Sequence, residues 1–226
     1  LLCCLSDWTR DIDLGRPVDI LYLDFSKAFD KVPKRRLLHK LQHLGIRGNL
    51  LGWIDSFLSD RTFRVKVGDG LSRSVDVVSG VPQGSVLGPL LFVAYTADIK
   101  NIVTSPFAMF ADDIKLYSSS ANYRDLERDL RAIYDWTHDW LLPLNLDKCI
   151  VLHLGNNNPK YVYFVDNLLL SCTDSHVDLG VVVTSNLSWT EHVQRVASKA
   201  NKMLFLLTKT FSKASPLVFS KLFKTY

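Results

Sequence analysis

The alternation of apolar and polar residues along the chain predicts several short strands. A continuous apolar run at residues 20–23 ends in Asp24, which is typical of a buried strand that presents a carboxylate at its C-terminal end. Apolar runs at residues 107–111 and 114–117 flank Asp112-Asp113, and because Asp favours tight turns, they predict a β-hairpin with two negative charges at its tip. Further strands are predicted at residues 63–67 and 75–78, around a turn at 68–70, and at residues 149–154, 161–165, 168–170 and 177–183.

Helical periodicity occupies much of the remaining chain. Apolar residues at helical spacing lie between Pro33 and Gly45, and again at residues 53–58. A longer pattern at residues 122–142 predicts a helix that Pro143 ends. The last predicted helix has one apolar face, and its opposite face carries Arg195, Lys199, Lys202 and Lys209. Strands and helices together predict an α+β fold.

The composition is that of a globular chain whose charge is unevenly distributed. Its 226 residues, of which 47% are hydrophobic, suffice for one or two domains with a substantial core. Seven basic residues and one acid lie in residues 190–226, so this segment carries +6 and the preceding residues −2 of the total charge of +4. A basic segment on a near-neutral body favours an anionic partner, nucleic acid before membrane.

The cysteines and the absence of long apolar runs indicate an intracellular protein. The four cysteines show no Cys-x-x-Cys spacing, which favours free thiols in a reducing compartment over a zinc site. No apolar run reaches the roughly 18–20 residues of a membrane span, and the apolar start is too short for a signal peptide. The chain begins without Met and stops inside an apolar-periodic run, which predicts a fragment.

The paired carboxylates are the main candidate for chemistry. Two ionised carboxylates side by side repel one another unless a cation neutralises them, and hard divalent cations prefer oxygen ligands. Asp24 lies 88 residues before Asp112, yet two strand-borne carboxylate sites can meet in one antiparallel sheet. Together they could hold two divalent ions roughly 3.5–4 Å apart, as used for in-line displacement at phosphorus. The alternative is a solvated Asp-Asp hairpin turn.

Five segments carry a set of motifs that can be compared with known families. They are residues 24–30 (Asp-Phe-Ser-Lys-Ala-Phe-Asp), 79–92 (Ser-Gly-Val-Pro-Gln-Gly-Ser-Val-Leu-Gly-Pro-Leu-Leu-Phe), 110–113 (Phe-Ala-Asp-Asp), 144–148 (Leu-Asn-Leu-Asp-Lys) and 179–181 (Leu-Gly-Val). In content and order they resemble the palm motifs of non-LTR retrotransposon (LINE-type) reverse transcriptases. The run that begins with Pro-Gln-Gly is the most distinctive, and the resemblance covers nearly the whole chain.

The resemblance implies an RNA-directed DNA polymerase with a right-hand fold. Residues 1–185 are expected to form the palm, an antiparallel sheet with packed helices, together with partial fingers and the primer-grip hairpin. Residues 186–226 are expected to form the start of an α-helical thumb. Only Arg10 and Arg16 supply cations before Asp24, so the basic finger motifs are absent here. These motifs and an endonuclease region are expected in the full-length protein.

The resemblance also implies roles for individual residues in catalysis. Asp24 and Asp112 correspond to metal ligands, with the backbone carbonyl of Phe25 completing a site, and Asp113 is the companion carboxylate near the primer end. Two Mg²⁺ ions are the implied cofactors, with Mn²⁺ as the alternative. Lys148 corresponds to the lysine that protonates the leaving pyrophosphate.

Substrate binding is implied by a second set of positions. The ring of Phe29 corresponds to the steric gate that occupies the space of a ribose 2′-hydroxyl, and Gln83 and Gly84 to contacts with the incoming nucleotide and template. A larger set is expected to hold nucleic acid: Leu179, Gly180 and Val181 in the primer grip, and Arg195, Lys199 and Lys202 in the thumb.

The implied partners are an RNA template, a DNA primer and deoxynucleoside triphosphates, in the nucleus by analogy with the family and with no membrane partner. Two other hypotheses remain open at this stage. One is a truncated, inactive remnant that binds nucleic acid through its basic helix. The other is an RNA-dependent RNA polymerase, from which the role of Phe29 would distinguish this chain.

Overall fold

The computed structural model describes residues 1–212 and 215–225. Its internal contacts divide the chain into two compact units, a large unit, Leu2–Thr173, and a small unit, Asp174–Tyr226, with which Leu1 is grouped. Lys213, one of the basic residues counted above, lies outside the described residues, as do Ala214 and Tyr226. The division of the chain at residues 185 and 186 stays a prediction.

The large unit combines short strands and helices, interrupted by two 3₁₀ turns. Its strands are β1 (Val18–Asp24), β2 (Thr62–Phe63), β3 (Lys66–Val67), β4 (Gly70–Leu71), β5 (Val75–Asp76), β6 (Phe107–Phe110), β7 (Asp113–Ser119), β8 (Ile150–Leu154), β9 (Phe164–Val165), β10 (Leu168–Leu169) and β11 (Ser171–Thr173). Its helices are α1 (Leu2–Asp13), α2 (Ala28–Lys31), α3 (Lys34–His43), α4 (Gly48–Leu58), α5 (Leu87–Thr96) and α6 (Tyr123–Asp139). The helices predicted at residues 33–45, 53–58 and 122–142 and the strand predicted at 20–23 are therefore confirmed.

A five-stranded sheet with the order β11-β8-β1-β7-β6 lies at the centre of the large unit. Strand β1 is antiparallel to both of its neighbours, β7 and β8, and only the pair β11–β8 is parallel. Strand β1 is buried along almost its whole length, which explains its continuous apolar run. The central position of β1 brings its last residue, Asp24, to the end of the sheet where the β6–β7 hairpin turns.

The core of the large unit lies on one face of this sheet. Leu126, Leu130 and Ile133 recur at helical spacing along α6, are fully buried, and share one apolar cluster with Leu21 and Leu23 of β1. Because strand residues alternate between faces, Asp24 points to the face opposite this cluster. Helix α1 covers part of that opposite face, where Trp8 packs edge-on against Tyr117 with ring centroids 5.6 Å apart.

The hairpin at the carboxylate pair is confirmed, but the prediction of two negative charges at its tip is wrong. The turn consists of Ala111 and Asp112, while Asp113 is already the first residue of β7 and pairs with Phe110. Ala111 adopts a left-handed conformation with φ 53°, which such tight hairpin turns require. Burial of Ile114 in the core sets the register of β7 and thereby draws Asp113 into the sheet.

Two other strand predictions need adjustment. The strands predicted around residues 68–70 form two small antiparallel ladders, β2–β5 and β3–β4, of which every residue is exposed. The single strand predicted at residues 177–183 is instead a hairpin of β12 (Ser175–Asp178) and β13 (Val181–Thr184) in the small unit. Leu179 and Gly180 both have positive φ, 49° and 85°, and so form the turn between them.

Besides this hairpin, the small unit contains α7 (Thr190–Thr210) and α8 (Pro216–Thr225). The amphipathic helix predicted near the end of the sequence is confirmed as α7. Leu207 is its one buried residue among those described, while Val193 and Val196 are 60% and 52% exposed. The apolar face of α7 is thus largely uncovered. No helix within the described parts of the chain is long and apolar enough to cross a membrane.

Candidate active site

Asp24 and Asp113 are directly opposite each other at the end of the β1–β7 ladder. Directly opposed residues of an antiparallel pair project on the same face, with Cβ atoms about 4.5–5.5 Å apart. Asp112 lies in the turn immediately before Asp113, so the sheet brings the three predicted carboxylates to one edge. The side chain of Asp24 is 16% exposed, and its Oδ2 atom is buried without any hydrogen bond. Like charges placed opposite one another destabilise the sheet unless a cation compensates them.

Lys148 supplies one such cation. Its Nζ atom lies 3.0 Å from Oδ2 of Asp24, an ion pair by distance, although no donor approaches Oδ2 with hydrogen-bond geometry. Contact with Asp24 raises the pKa of the Lys148 ammonium, and the charges of Asp112 and Asp113 add to this effect. The lysine side chain is itself 66% exposed, so this cation can leave the carboxylate without disturbing the core.

The backbone after α6 places Lys148 beside Asp24. Pro143 cannot continue a helix, and the chain beyond α6 runs antiparallel to the end of β1, where Leu144 bridges Phe25. Asn145 donates its N–H to the carbonyl oxygen of Asp24 at 2.7 Å, and Lys148 donates to the carbonyl of Asn145 at 3.0 Å. In this type of bridge the carbonyl of Phe25 points away from Leu144.

The Pro-Gln-Gly loop lies directly on the segment that follows Asp24. Val81 donates its N–H to the carbonyl of Phe29 at 2.7 Å, and Gly80 donates to that of Val32 at 2.8 Å. Gly80 has a φ of +90°, and a Cβ atom on it would lie 2.7 Å from the carbonyl oxygens of Phe29 and Asp30. Only glycine allows this close approach of two backbone segments.

This contact holds Phe29 and Gln83 close to each other. The ring of Phe29 is half-buried and stacks on Phe92 of α5, with ring centroids 4.8 Å apart and an interplanar angle of 21°. Gln83 is exposed, and its Nε2 donates to Oδ1 of Asp30 at 3.4 Å. Gly84 has a φ of +80°, with open space where a Cβ would be, so a ligand can approach its backbone.

Two further residues of this region make contacts that the sequence motifs do not assign. Asp30 is the last residue of the first motif, which implies no role for it, and in the structure its Oδ1 accepts a hydrogen bond from Gln83, while α3 begins without a side-chain cap. Arg61 donates from Nη2 to the carbonyl of Gly80 at 3.1 Å and was missed altogether. No sequence signal identifies Arg61, because it lies 19 residues before its partner and outside every motif.

The predicted nucleic-acid contacts lie in the small unit. Leu179 and Gly180 form the turn of the β12–β13 hairpin, and Val181 begins β13. Arg195, Lys199 and Lys202 are exposed on α7, where spacings of four and three residues align them along one face.

The residues at the sheet edge fit a hard divalent cation. Their donors are carboxylate and carbonyl oxygens, and a bound cation could take the place of the Lys148 ammonium at the buried Oδ2 of Asp24. Among residues 1–212 and 215–225 no group of three or more His, Cys, Asp or Glu side chains is close enough to hold a metal ion alone. Mg²⁺ commonly binds through one or two protein carboxylates completed by substrate phosphates, and this donor set suits that mode of binding.

Comparison with known proteins identifies relatives over most of the chain. Residues 13–163 match the family described as reverse transcriptase (RNA-dependent DNA polymerase). The RNA-directed DNA polymerase from mobile element jockey of Drosophila funebris is 32% identical over 206 residues, which are 82% of this chain and 22% of that protein. A probable RNA-directed DNA polymerase from transposon X-element of Drosophila melanogaster is 29% identical over 203 residues, 83% of this chain and 22% of that protein. The chain thus spans about a fifth of the length of these curated relatives.

Solved structures resemble the chain in fold. Apo telomerase from Candida tropicalis, truncated from its C-terminal domain, superposes with a TM-score of 0.58 at 12% identity, over 83% of this chain and 38% of that one. Candida tropicalis telomerase in complex with a fragment of telomeric RNA gives a TM-score of 0.57 at 10% identity, over 98% of this chain and 39% of that one. At such identities the likeness shows the fold alone, and it confirms the predicted right-hand polymerase fold.

Proposed function

Because the chain belongs to the reverse transcriptase family of non-LTR retrotransposons, we propose that its large unit carries the nucleotidyl-transfer site of an RNA-directed DNA polymerase. The observation that supports this most directly is the pairing of Asp24 with Asp113 beside the turn residue Asp112. Three carboxylates at one sheet edge repel one another and call for compensating cations, of which Lys148 is one and a divalent metal ion would be another.

Asp24, Asp112 and the carbonyl of Phe25 would hold two divalent cations, Mg²⁺ in the first instance, with Asp113 as the companion carboxylate. When bound, the cations supply Lewis-acid activation of a primer 3′-hydroxyl and neutralisation of the triphosphate. The sheet contributes rigidity, since the position of Asp24 is fixed by β1 and by the Asn145 hydrogen bond to its carbonyl.

Lys148 is proposed to act as the general acid that protonates the leaving pyrophosphate. Like any exposed lysine, Lys148 holds a proton on Nζ at neutral pH, and contact with Asp24 raises the pKa of its ammonium further. The side chain is largely exposed and flexible, which lets Nζ donate that proton to an oxygen of the departing pyrophosphate.

Phe29, Gln83 and Gly84 are proposed to select and orient the nucleotide. The Phe29 ring is fixed by its stack on Phe92, so it can exclude a 2′-hydroxyl by occupying its space. Gln83 offers an exposed amide, and the backbone of Gly84 is open to close approach. Exclusion of ribonucleotides favours DNA synthesis over the alternative of an RNA polymerase.

The proposed partners are an RNA template, a DNA primer and deoxynucleoside triphosphates, in the nucleus. The exposed cations Arg195, Lys199 and Lys202 offer phosphate contacts, and the turn around residues 179–181 is proposed to contact the primer. Finger and endonuclease regions are proposed for the full-length protein, since this chain spans about 22% of the relatives.

Primer extension on an RNA template with deoxynucleotides tests the proposal. Asp24→Asn and Asp112→Asn should each lower extension at least 100-fold while template binding is retained. The matched control is Asp139→Asn, an exposed carboxylate at the end of α6, which should leave extension unchanged. Template binding by the unmodified protein without any extension, with its finger region supplied, would instead support the alternative of an inactive nucleic-acid-binding remnant.

A further inference from the structure

A second cluster of reactive side chains lies at the other end of β1 from Asp24. Asp19 of β1, His153 of β8 and Cys172 of β11 belong to three adjacent strands of the central sheet. Asp19 points to the same face as Leu21, opposite to that of Asp24, so this cluster is separate from the proposed polymerase site.

Asp19, His153 and Cys172 contact one another in that order, from the core to the surface. Nδ1 of His153 lies 2.7 Å from Oδ1 of Asp19, and Nε2 of His153 lies 3.6 Å from Sγ of Cys172. Asp19 is fully buried and His153 is 6% exposed, whereas Cys172 belongs to the exposed residues. The arrangement has the order of a nucleophile, a base and a carboxylate that orients the base.

The surroundings of Asp19 fix the tautomer of the histidine. Oδ1 of Asp19 also accepts a hydrogen bond from Nδ2 of Asn158 at 2.8 Å, and Oδ2 accepts one from the Tyr163 hydroxyl at 2.6 Å. A carboxylate that accepts from donors on both oxygens is best satisfied when ionised, so Nδ1 of His153 carries the hydrogen that it shares with Asp19. Nε2 then presents its lone pair to the thiol of Cys172.

We propose that Cys172 is a site of thiol–disulfide exchange, at which His153 acts as the base and Asp19 positions it. The substrate class is a small exposed disulfide such as oxidised glutathione. As Sγ attacks one sulfur of the disulfide, its proton passes to Nε2 of His153, a new S–S bond forms, and the original S–S bond breaks. The leaving thiolate takes the proton from Nε2, so one thiol and one disulfide yield one mixed disulfide and one thiol.

Without such a base, Cys172 would be a slow nucleophile. Burial raises the pKa of its thiol, and the charge of Asp19 raises it further, against a smaller effect of Lys160. Cys3, the other exposed cysteine, lies in the first turn of α1 and offers an accessible thiol for comparison. If no base assists Cys172, Cys3 should react first, and if His153 acts as the base, Cys172 should react first.

The experiment uses the 226-residue chain and oxidised glutathione, with the mixed disulfides at both cysteines followed over time by peptide mass spectrometry. Faster modification of Cys172 than of Cys3 is expected. His153→Gln should slow Cys172 at least tenfold and leave Cys3 unchanged, since general bases contribute about 100-fold or more. Circular dichroism checks the fold of the variant.

Two results would overturn the proposal. The first is modification of Cys3 before Cys172 in the unmodified chain, a comparison that needs no variant and stands even when His153→Gln does not fold. The second is an unchanged rate at Cys172 in a folded His153→Gln protein. Primer extension is not part of either readout, so this proposal and the proposed function can fail independently.

Discussion

Lys148 lies 3.0 Å from Asp24 and forms an ion pair with the carboxylate at the end of the central strand. The pair joins two segments that are 124 residues apart in sequence, the end of β1 and the turn after α6. One residue thus compensates part of the negative charge of the sheet edge and holds a proton beside the site where a leaving group would form.

Replacement of this lysine should slow chemistry more than binding. In Lys148→Met the proton on Nζ is lost, so single-nucleotide incorporation should fall at least tenfold, while the KM for the nucleotide changes little. Lys100→Met, which removes another exposed cation of the large unit, is the matched control and should be neutral. Equal incorporation rates for Lys148→Met and the control would remove Lys148 from the mechanism.

Substitution of Phe29, the proposed sugar gate, should relax sugar selection. Phe29→Ala opens the space beside the nucleotide, so the ratio of deoxynucleotide to ribonucleotide incorporation should fall by about 100-fold, roughly 2.7 kcal/mol of discrimination. Phe63→Ala, at a ring that is 51% exposed on the β2–β5 ladder, is the control. An unchanged ratio in a variant that still extends primers would refute the role of Phe29.

Asp30 should act on substrate binding through Gln83. Asp30→Ala frees the Gln83 amide from its 3.4 Å contact, so the KM for the nucleotide should rise several-fold with kcat nearly unchanged. A double-mutant cycle with Gln83→Ala provides the check, because coupled residues give non-additive effects. Strict additivity would mean that the contact does not position Gln83.

The two left-handed glycines of the Pro-Gln-Gly loop should differ in their tolerance of a side chain. Gly80→Ala combines the backbone strain of a positive φ, about 1–3 kcal/mol, with a Cβ 2.7 Å from the carbonyls of Phe29 and Asp30. Gly84→Ala has a similar φ but open space, so it carries the strain alone. Chemical denaturation should show a larger loss of unfolding free energy for Gly80→Ala; equal losses would contradict the close approach.

Lys40 should give the folded chain a distinct response to alkaline pH. Its ammonium is buried among Tyr95, Trp136 and Trp140 and forms a 2.6 Å ion pair with Asp98. Burial lowers the pKa of Lys40 to about 8, against the opposing effect of Asp98. Between pH 8 and the ordinary pKa of 10.5, the unfolded chain therefore binds a proton that the folded chain has released.

Because the unfolded chain binds this extra proton, the unfolding free energy contributed by Lys40 rises with pH in that range. It is lowest below pH 8, rises between pH 8 and 10.5, and is constant above pH 10.5. Lys40→Met has no group that titrates at this position. Relative to that variant, the unfolding free energy of the unmodified chain should increase by up to about 3 kcal/mol between pH 8 and 10.5. Cation–π stabilisation of the Lys40 ammonium by the aromatic rings reduces this increase. Denaturant midpoints at pH 7.5 and 10.5 measure the gain, and a constant difference between the two proteins would contradict the lowered pKa.

Local patterns predicted most of the helices and strands, because burial of one helix face or of a whole strand leaves its period in the sequence. The errors occurred where packing decided the outcome. Asp113 lies in a strand instead of at a hairpin tip because Ile114 must be buried in the core. Residues 177–183 form two strands because Leu179 and Gly180 adopt positive φ, which apolar composition did not reveal.

The family, the order of the motifs and the carboxylates that they carry can be recognised from the amino-acid sequence alone, since each motif is a short run of contiguous residues. The contacts between distant residues become visible only in the folded chain: Asp24 with Asp113 and Lys148, Arg61 with Gly80, and Asp19 with His153 and Cys172. Such contacts depend on strand order, register and the path of the connecting chain. These are properties of the packed core as a whole, and no local stretch of residues encodes them.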